Sequence, residues 1–246
     1  MKIAVISYSG NVGKTTIARH VLLPRIPGAV LVSIESVNAG EVEDHVIRGR
    51  QFAELQEYLQ VVEDAIVDIG ASNIEELLTL MRRYRGSHED FDYFVIPTVP
   101  AHKQQRDTMA TLAELSRLGV PAEKVRIVFN MVEERAEMER TFELLLSFLK
   151  QAPLARHSLD CALEVNEIYA RINGMNTDLA AIAADSTDYK ALIASTTEGA
   201  RRIEFAQRLA TRRLAIGVVP EHDACFAALA LRANTATPCA TESVEL

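Results

Sequence analysis

Eight consecutive residues, Ser9, Gly10, Asn11, Val12, Gly13, Lys14, Thr15 and Thr16, carry the clearest chemistry in the chain. They follow an apolar run at 3–6 and precede helical text at 17–23. Small residues between a strand and a helix let successive backbone N–H groups turn inward around a phosphate, and the helix presents its positive end to the same charge. In that setting Lys14 would bridge the β- and γ-phosphates of a nucleoside triphosphate, and the Thr15 hydroxyl would bind Mg²⁺. A glycine-containing turn with a chance lysine is the plain alternative, and the strand before it and the helix after it argue against that. A second candidate is Asp68, at the end of the apolar stretch EDAIVDIG with Gly70 following as a hinge. A carboxylate at the C-terminal tip of a buried strand can hold the water shell of Mg²⁺. The segment DYFVIPTVP competes for that role, but it carries Pro97 where the acid should stand.

The elements that must position these residues are legible from apolar runs of four to six residues, at 3–6, 30–34, 65–69, 93–96 and 125–129. Continuous apolar runs suit strands covered on both faces in a parallel sheet. Between them, helical stripes fall at Ile74, Leu77, Leu78 and Met81, at Met109, Leu112 and Leu115, and at Met138, Phe142, Leu145 and Leu149. The spacing predicts a helix at 51–62 and a loop at 37–49. The alternation predicts an α/β fold, a doubly wound, mostly parallel sheet flanked by helices, with a helical C-terminal region. That region is read as helices at 163–171, 178–184, 189–195, 198–216 and 223–232. The expectation is one domain over 1–232 and a disordered Thr-rich tail over 233–246.

Composition excludes several classes. The 246 residues are 48% hydrophobic, enough for a substantial core, yet no run of about 18 apolar residues exists. The start MKIAVISYSG lacks a secretory pattern, so a cytoplasmic location is expected. Cys161, Cys225 and Cys239 are widely spaced and the six His are scattered, which argues against a transition-metal site or a disulfide framework. A formal charge of −8 argues against a surface that wraps nucleic acid as a whole, leaving only local basic patches. Arg201, Arg208 and Arg212 share a helix face at spacings of seven and four; Arg82, Arg83 and Arg85 form a weaker cluster. A charge row is usually the solvated side of a helix.

The run SGNVGKTT resembles the deviant Walker A loop, KGGxGKTT, of the ParA/MinD superfamily of partitioning and positioning ATPases. Tyr8 replaces the first Gly of the general phosphate-loop pattern. Ser9 stands where that family has a signature Lys, which in relatives reaches across a nucleotide-sandwich dimer, and Asn11 replaces its second Gly. Asn tolerates a left-handed backbone, so the loop can still form. The resemblance extends over about 1–150, and SGNVGKTT, VDIGAS and VIPTVP together look most like StbB-type plasmid stability proteins. It implies that Asp68 acts as the Walker B acid and a metal ligand. By the same resemblance Glu35, ending VLVSIES, orients the attacking water, and Asn130, ending KVRIVFN, contacts adenine. The lettering NMVE in place of NKxD favours ATP over GTP. A plasmid-encoded DNA-binding partner, nonspecific DNA contact through Arg201, Arg208 and Arg212, and a weak homodimer are further implications. MinD-type members end in a basic amphipathic membrane helix, whereas the tail ANTATPCATESVEL has no Lys or Arg.

Three functions therefore stay open. The first is an ATP-binding, slowly hydrolysing switch for plasmid partition or positioning. The second is a metabolic ligase of the dethiobiotin synthetase type on the same fold. The third is a nucleotide-dependent adaptor that binds ATP without hydrolysing it.

Overall fold

Among the described residues, six parallel strands form one sheet, in the order β2-β3-β1-β4-β5-β6. The computed structural model describes residues 1–34, 52–173 and 178–232. The strands are β1 (Lys2–Val5), β2 (Val30–Ile34), β3 (Ala65–Ile69), β4 (Tyr93–Thr98), β5 (Val125–Val132) and β6 (Ala162–Glu164). All five apolar runs are therefore strands. The sixth was not anticipated: it is three residues long, pairs with β5 across a register irregularity, and its Ala-Leu-Glu text favours a helix intrinsically. The stretch read as a helix over 163–171 is instead this strand followed by the short helix α7 (Ile168–Ile172).

Residue parity divides the sheet's two faces. Ala4, Ile6, Val67, Ile69, Phe94, Ile96, Ile127 and Phe129 join one core, which is covered by α2 (Phe52–Val61), α3 (Ile74–Arg83), α4 (His102–Arg117), α5 (Met138–Thr141) and α6 (Glu143–Gln151). Ile3, Val5, Ile66, Val95, Val128 and Leu163 point the other way. They pack beneath the helical segment 14–25 and the end of the last helix. The segment starts as α1 (Lys14–Thr16), loosens to π-helical turns at Ile17–Leu22 and tightens to 3₁₀ at Leu23–Arg25. Full burial on both faces is why β3 is apolar except for Asp68.

Beyond β6 the chain forms α7, α8 (Leu179–Ala184), α9 (Tyr189–Ser195) and α10 (Gly199–Ala228). The Asp178 and Asp188 side chains accept N–H groups at the starts of α8 and α9, as good N-caps do. The sequence suggested a break between 216 and 223, but α10 runs through it with Pro220 inside. Proline withholds an N–H and costs about 3 kcal/mol in a helix interior. Burial of Ala215, Val218, His222 and Cys225 along one face offsets that cost. Cys161 and Cys225 are free, buried thiols with sulfurs 3.6 Å apart, a proximity that their spacing of 64 residues concealed. Among the described residues no helix is long and apolar enough to cross a membrane. Residues 35–51 and 233–246 lie outside the description, and with them Glu35 and the tail.

Candidate functional site

Strand β1 sits where the strand order reverses, with β3 on one side and β4 on the other. In open parallel sheets the carboxyl ends of the strands at such a point enclose a crevice that binds ligands. The loop 9–16 leaves β1 there. Two of its residues take left-handed backbone, Gly13 at φ 86° and Asn11 at φ 55°. Asn11 thus takes a backbone that glycine adopts most readily, as its tolerance for this region allows. Gly10 has open space where a Cβ would stand, so its value is freedom and not clearance. At Gly13 a Cβ would run into Asn130 Nδ2, so any other residue must displace that side chain as well as adopt a left-handed backbone.

Parity aims three distant side chains at this loop. Asp68 shares its face with Ile66, toward the helix that follows the loop, and its Oδ2 accepts the Thr15 hydroxyl at 2.6 Å. Asn130 shares its face with Val128, and its Nδ2 donates to Val12 O at 2.9 Å. Lys14 Nζ donates to Ser9 O at 2.7 Å and Ser7 O at 3.3 Å. Lys14, Asp68 and Asn130 are all buried. Burial lowers the Lys14 pKa, and the Asp68 carboxylate opposes that. The ammonium is therefore held by two carbonyl dipoles at the mouth of the loop, where an anionic oxygen is a stronger acceptor.

Ser9, also buried, donates its hydroxyl to Asp107 Oδ2 at 2.5 Å. Beside it, Tyr8 N donates to Thr111 Oγ1 at 3.2 Å, so one face of α4 grips the start of the loop. Asp107 and Thr111 were not among the predicted site residues. Their only sequence signal is a polar i, i+4 pair on a helix otherwise read for its apolar stripe. Thr15 and Asp68 together offer a hydroxyl and a carboxylate, hard oxygen donors of the kind Mg²⁺ takes beside nucleotide phosphates. Among the described residues no three His, Cys, Asp or Glu converge on a metal-sized site.

The arginine row is not a free cationic face. Arg212 donates to Asp185 O and Thr187 O at 2.8 and 2.6 Å and lies over the Tyr189 ring, while Arg208 pairs with Glu204 at 2.7 Å. The expected DNA-contacting trio is thereby reduced to exposed Arg201 and an Arg208 already paired, because α8 and α9 fold back on α10 and take up Arg212.

No protein-family model and no curated protein sequence matches the chain. Solved structures do. Apo McdA of Cyanothece superposes with a TM-score of 0.51 at 14% identity, covering 88% of this chain and 99% of that one. MinD of Aquifex aeolicus gives 0.49 at 13%, covering 88% and 96%. A plasmid partition protein of Borrelia burgdorferi, bound to AMPPNP, gives 0.46 at 13%, covering 85% and 97%. Of these three the first exceeds 0.5, and at such identity the likeness speaks for architecture. The six-stranded parallel sheet, the loop at its reversal point and the helices closing both faces give this chain the ParA/MinD-type P-loop fold.

Proposed function

We propose that the chain is an ATP-dependent switch protein of the ParA-like kind, acting in plasmid partition or positioning and hydrolysing ATP slowly. The observation that carries this reading is the Thr15 hydroxyl on Asp68, 2.6 Å apart, beside buried Lys14 on a left-handed glycine loop at the sheet's reversal point. Residues 10–16 would wrap the β- and γ-phosphates with backbone N–H groups, and Lys14 would exchange its two carbonyl partners for phosphate oxygens. Thr15 and Asp68 would hold Mg²⁺, which supplies positive charge against the phosphate oxygens when bound. Asn130 braces Val12 from beneath, and Asp107 holds Ser9. An adenine contact from Asn130 would have to be compatible with that brace. Glu35, outside the described residues, is the proposed group that orients the attacking water.

The Ser9 hydroxyl on Asp107 also favours slow turnover. No cation stands at the signature position, so a neighbour's γ-phosphate would receive none from this residue. A DNA-binding partner protein is the proposed activator. Direct DNA contact along α10 would rest on Arg201 and Arg208. Calorimetric titration with a nonhydrolysable ATP analogue and Mg²⁺ tests the core of the proposal. Lys14→Ala should abolish binding while circular dichroism stays native, and Thr15→Ala should remove the Mg²⁺ dependence with less effect on ADP. Equal affinity in a folded Lys14→Ala variant would sink the reading.

A further inference from the structure

At the opposite edge of the sheet, where β4 and β5 begin, lies a cavity of about 640 Å³, within the range of small-molecule sites. Arg126 lines it from the same face of β5 as Asn130, four residues and about 13 Å from it along the strand. The residue is 7% exposed. Nε donates to Leu229 O at 2.7 Å, one Nη donates to Glu123 O at 2.6 Å and Val125 O at 3.2 Å, and the guanidinium lies 4.9 Å over the Tyr93 ring. Every one of these partners is uncharged. The carbonyls of Leu229, at the end of α10, and of Glu123 and Val125 satisfy N–H groups and offset part of a charge, but they are not a counter-ion. Burial pushes the Arg126 pKa down, and neighbouring Arg156 adds to this while Tyr93 and Cys161 oppose it.

The rest of the lining deepens that deficit. Lys124, Arg156 and Arg232 also face the cavity, so four permanent cations stand against two carboxylates, Asp92 and Glu123. Lys124 Nζ likewise donates to carbonyls, of Phe91 at 2.7 Å and Glu89 at 3.3 Å. Asp92 accepts the Lys2 N–H at 2.7 Å and lies 3.9 Å from the Met1 ammonium. A cationic cavity around a buried arginine, in a chain of formal charge −8, is where an anion gains most and costs least to desolvate. We propose that this cavity binds an oxyanion, a phosphate or carboxylate group, held by Arg126 from within and by Arg156 and Arg232 at the rim. Guanidinium forks suit such groups because they can meet two oxygens at once. The site is independent of the phosphate loop.

The oxyanion can belong to a free small molecule or to the chain's own continuation, since residues 233–246 follow Arg232 and carry Glu242 and Glu245 without Lys or Arg. Calorimetric titration of the full chain with inorganic phosphate and with succinate tests the proposal. Because phosphate can also enter the loop, each titration is repeated in Lys14→Ala, where the cavity component should persist. Arg156→Gln/Arg232→Gln changes only exposed side chains and should weaken that component at least tenfold, while binding of a nonhydrolysable ATP analogue is unchanged. Glu242→Gln/Glu245→Gln in the full chain separates the sources. Affinity for the added anion rises if these carboxylates occupy the cavity, and stays the same if a free molecule does. Phosphate binding that vanishes with Lys14→Ala and ignores Arg156→Gln/Arg232→Gln, with no succinate binding, overturns the proposal. Absence of ATP-analogue binding in the parent chain, with the cavity component intact, would instead overturn only the nucleotide reading.

Discussion

At the scale of single residues, the loop is held by contacts that fix identity one atom at a time. Gly13 combines a left-handed φ of 86° with an Asn130 nitrogen where a Cβ would stand. Gly13→Ala should therefore cost about 2–3 kcal/mol, from about 1–2 of backbone strain and about 1 for the displaced Asn130 bond to Val12. Urea denaturation of Gly13→Ala in the parent and in an Asn130→Ala background checks this. A cost that does not fall in the second background would show that the side chain plays no part. Asp68→Asn keeps volume and removes charge, so it should impair Mg²⁺-dependent phosphate release more than nucleotide affinity. Equal turnover to the parent would return the role to another acid. The meeting of Thr15 with Asp68 beside Lys14 was legible because a phosphate-loop pattern and an acid in a buried strand restrict residue type. Asp107 was not, since its only meaning is a hydroxyl 98 residues away, and nothing local in HKQQRDTMA marks it.

Among the elements, the five main strands were readable because burial on both faces leaves an apolar run, whereas β6 is too short to do so. The path of α10 was misread for a related reason: a proline signals a break locally, and the packing that overrides it involves residues far away in sequence. That packing has a titratable centre. His222 of α10 is buried, its Nε2 lies 2.7 Å from the Tyr169 hydroxyl of α7, and its pKa is lowered to about 4 by burial and by Arg25 and His20. Asp223 opposes the shift weakly, and His20 is itself depressed by burial. A histidine depressed from 6.5 to about 4 in the folded state leaves the unfolded chain binding the extra proton as pH falls through that window. Its contribution is whole above pH 6.5 and is lost toward pH 4, about 3 kcal/mol for the full shift. Denaturation midpoints at pH 7 and pH 4.5 should differ clearly in the parent and much less in His222→Gln. An equal drop in both would assign the acid sensitivity to other groups, His20 foremost.

For the molecule as a whole, a serine stands at position 9, where the loop that this one resembles carries a lysine. Ser9 is buried with its hydroxyl on Asp107 and its carbonyl on its own chain's Lys14, so the residue itself offers a neighbour no cation. In a nucleotide-sandwich dimer each γ-phosphate would lack one neutralising partner, worth a few kcal/mol at about 4 Å and an effective dielectric near 20. The Asp107 charge adds repulsion if the two faces meet. Self-association should therefore be weak, with a mainly monomeric species in ADP, low unassisted turnover, and dependence on a partner protein or DNA for the active state. Ser9→Lys alone should restore little, because the new ammonium would meet Asp107 of its own chain first, and Ser9→Lys/Asp107→Asn should restore more. Analytical ultracentrifugation with ATP, with ADP and without nucleotide measures this directly. A tight ATP-dependent dimer of the parent with brisk unassisted hydrolysis would mean that another cation supplies what Ser9 does not.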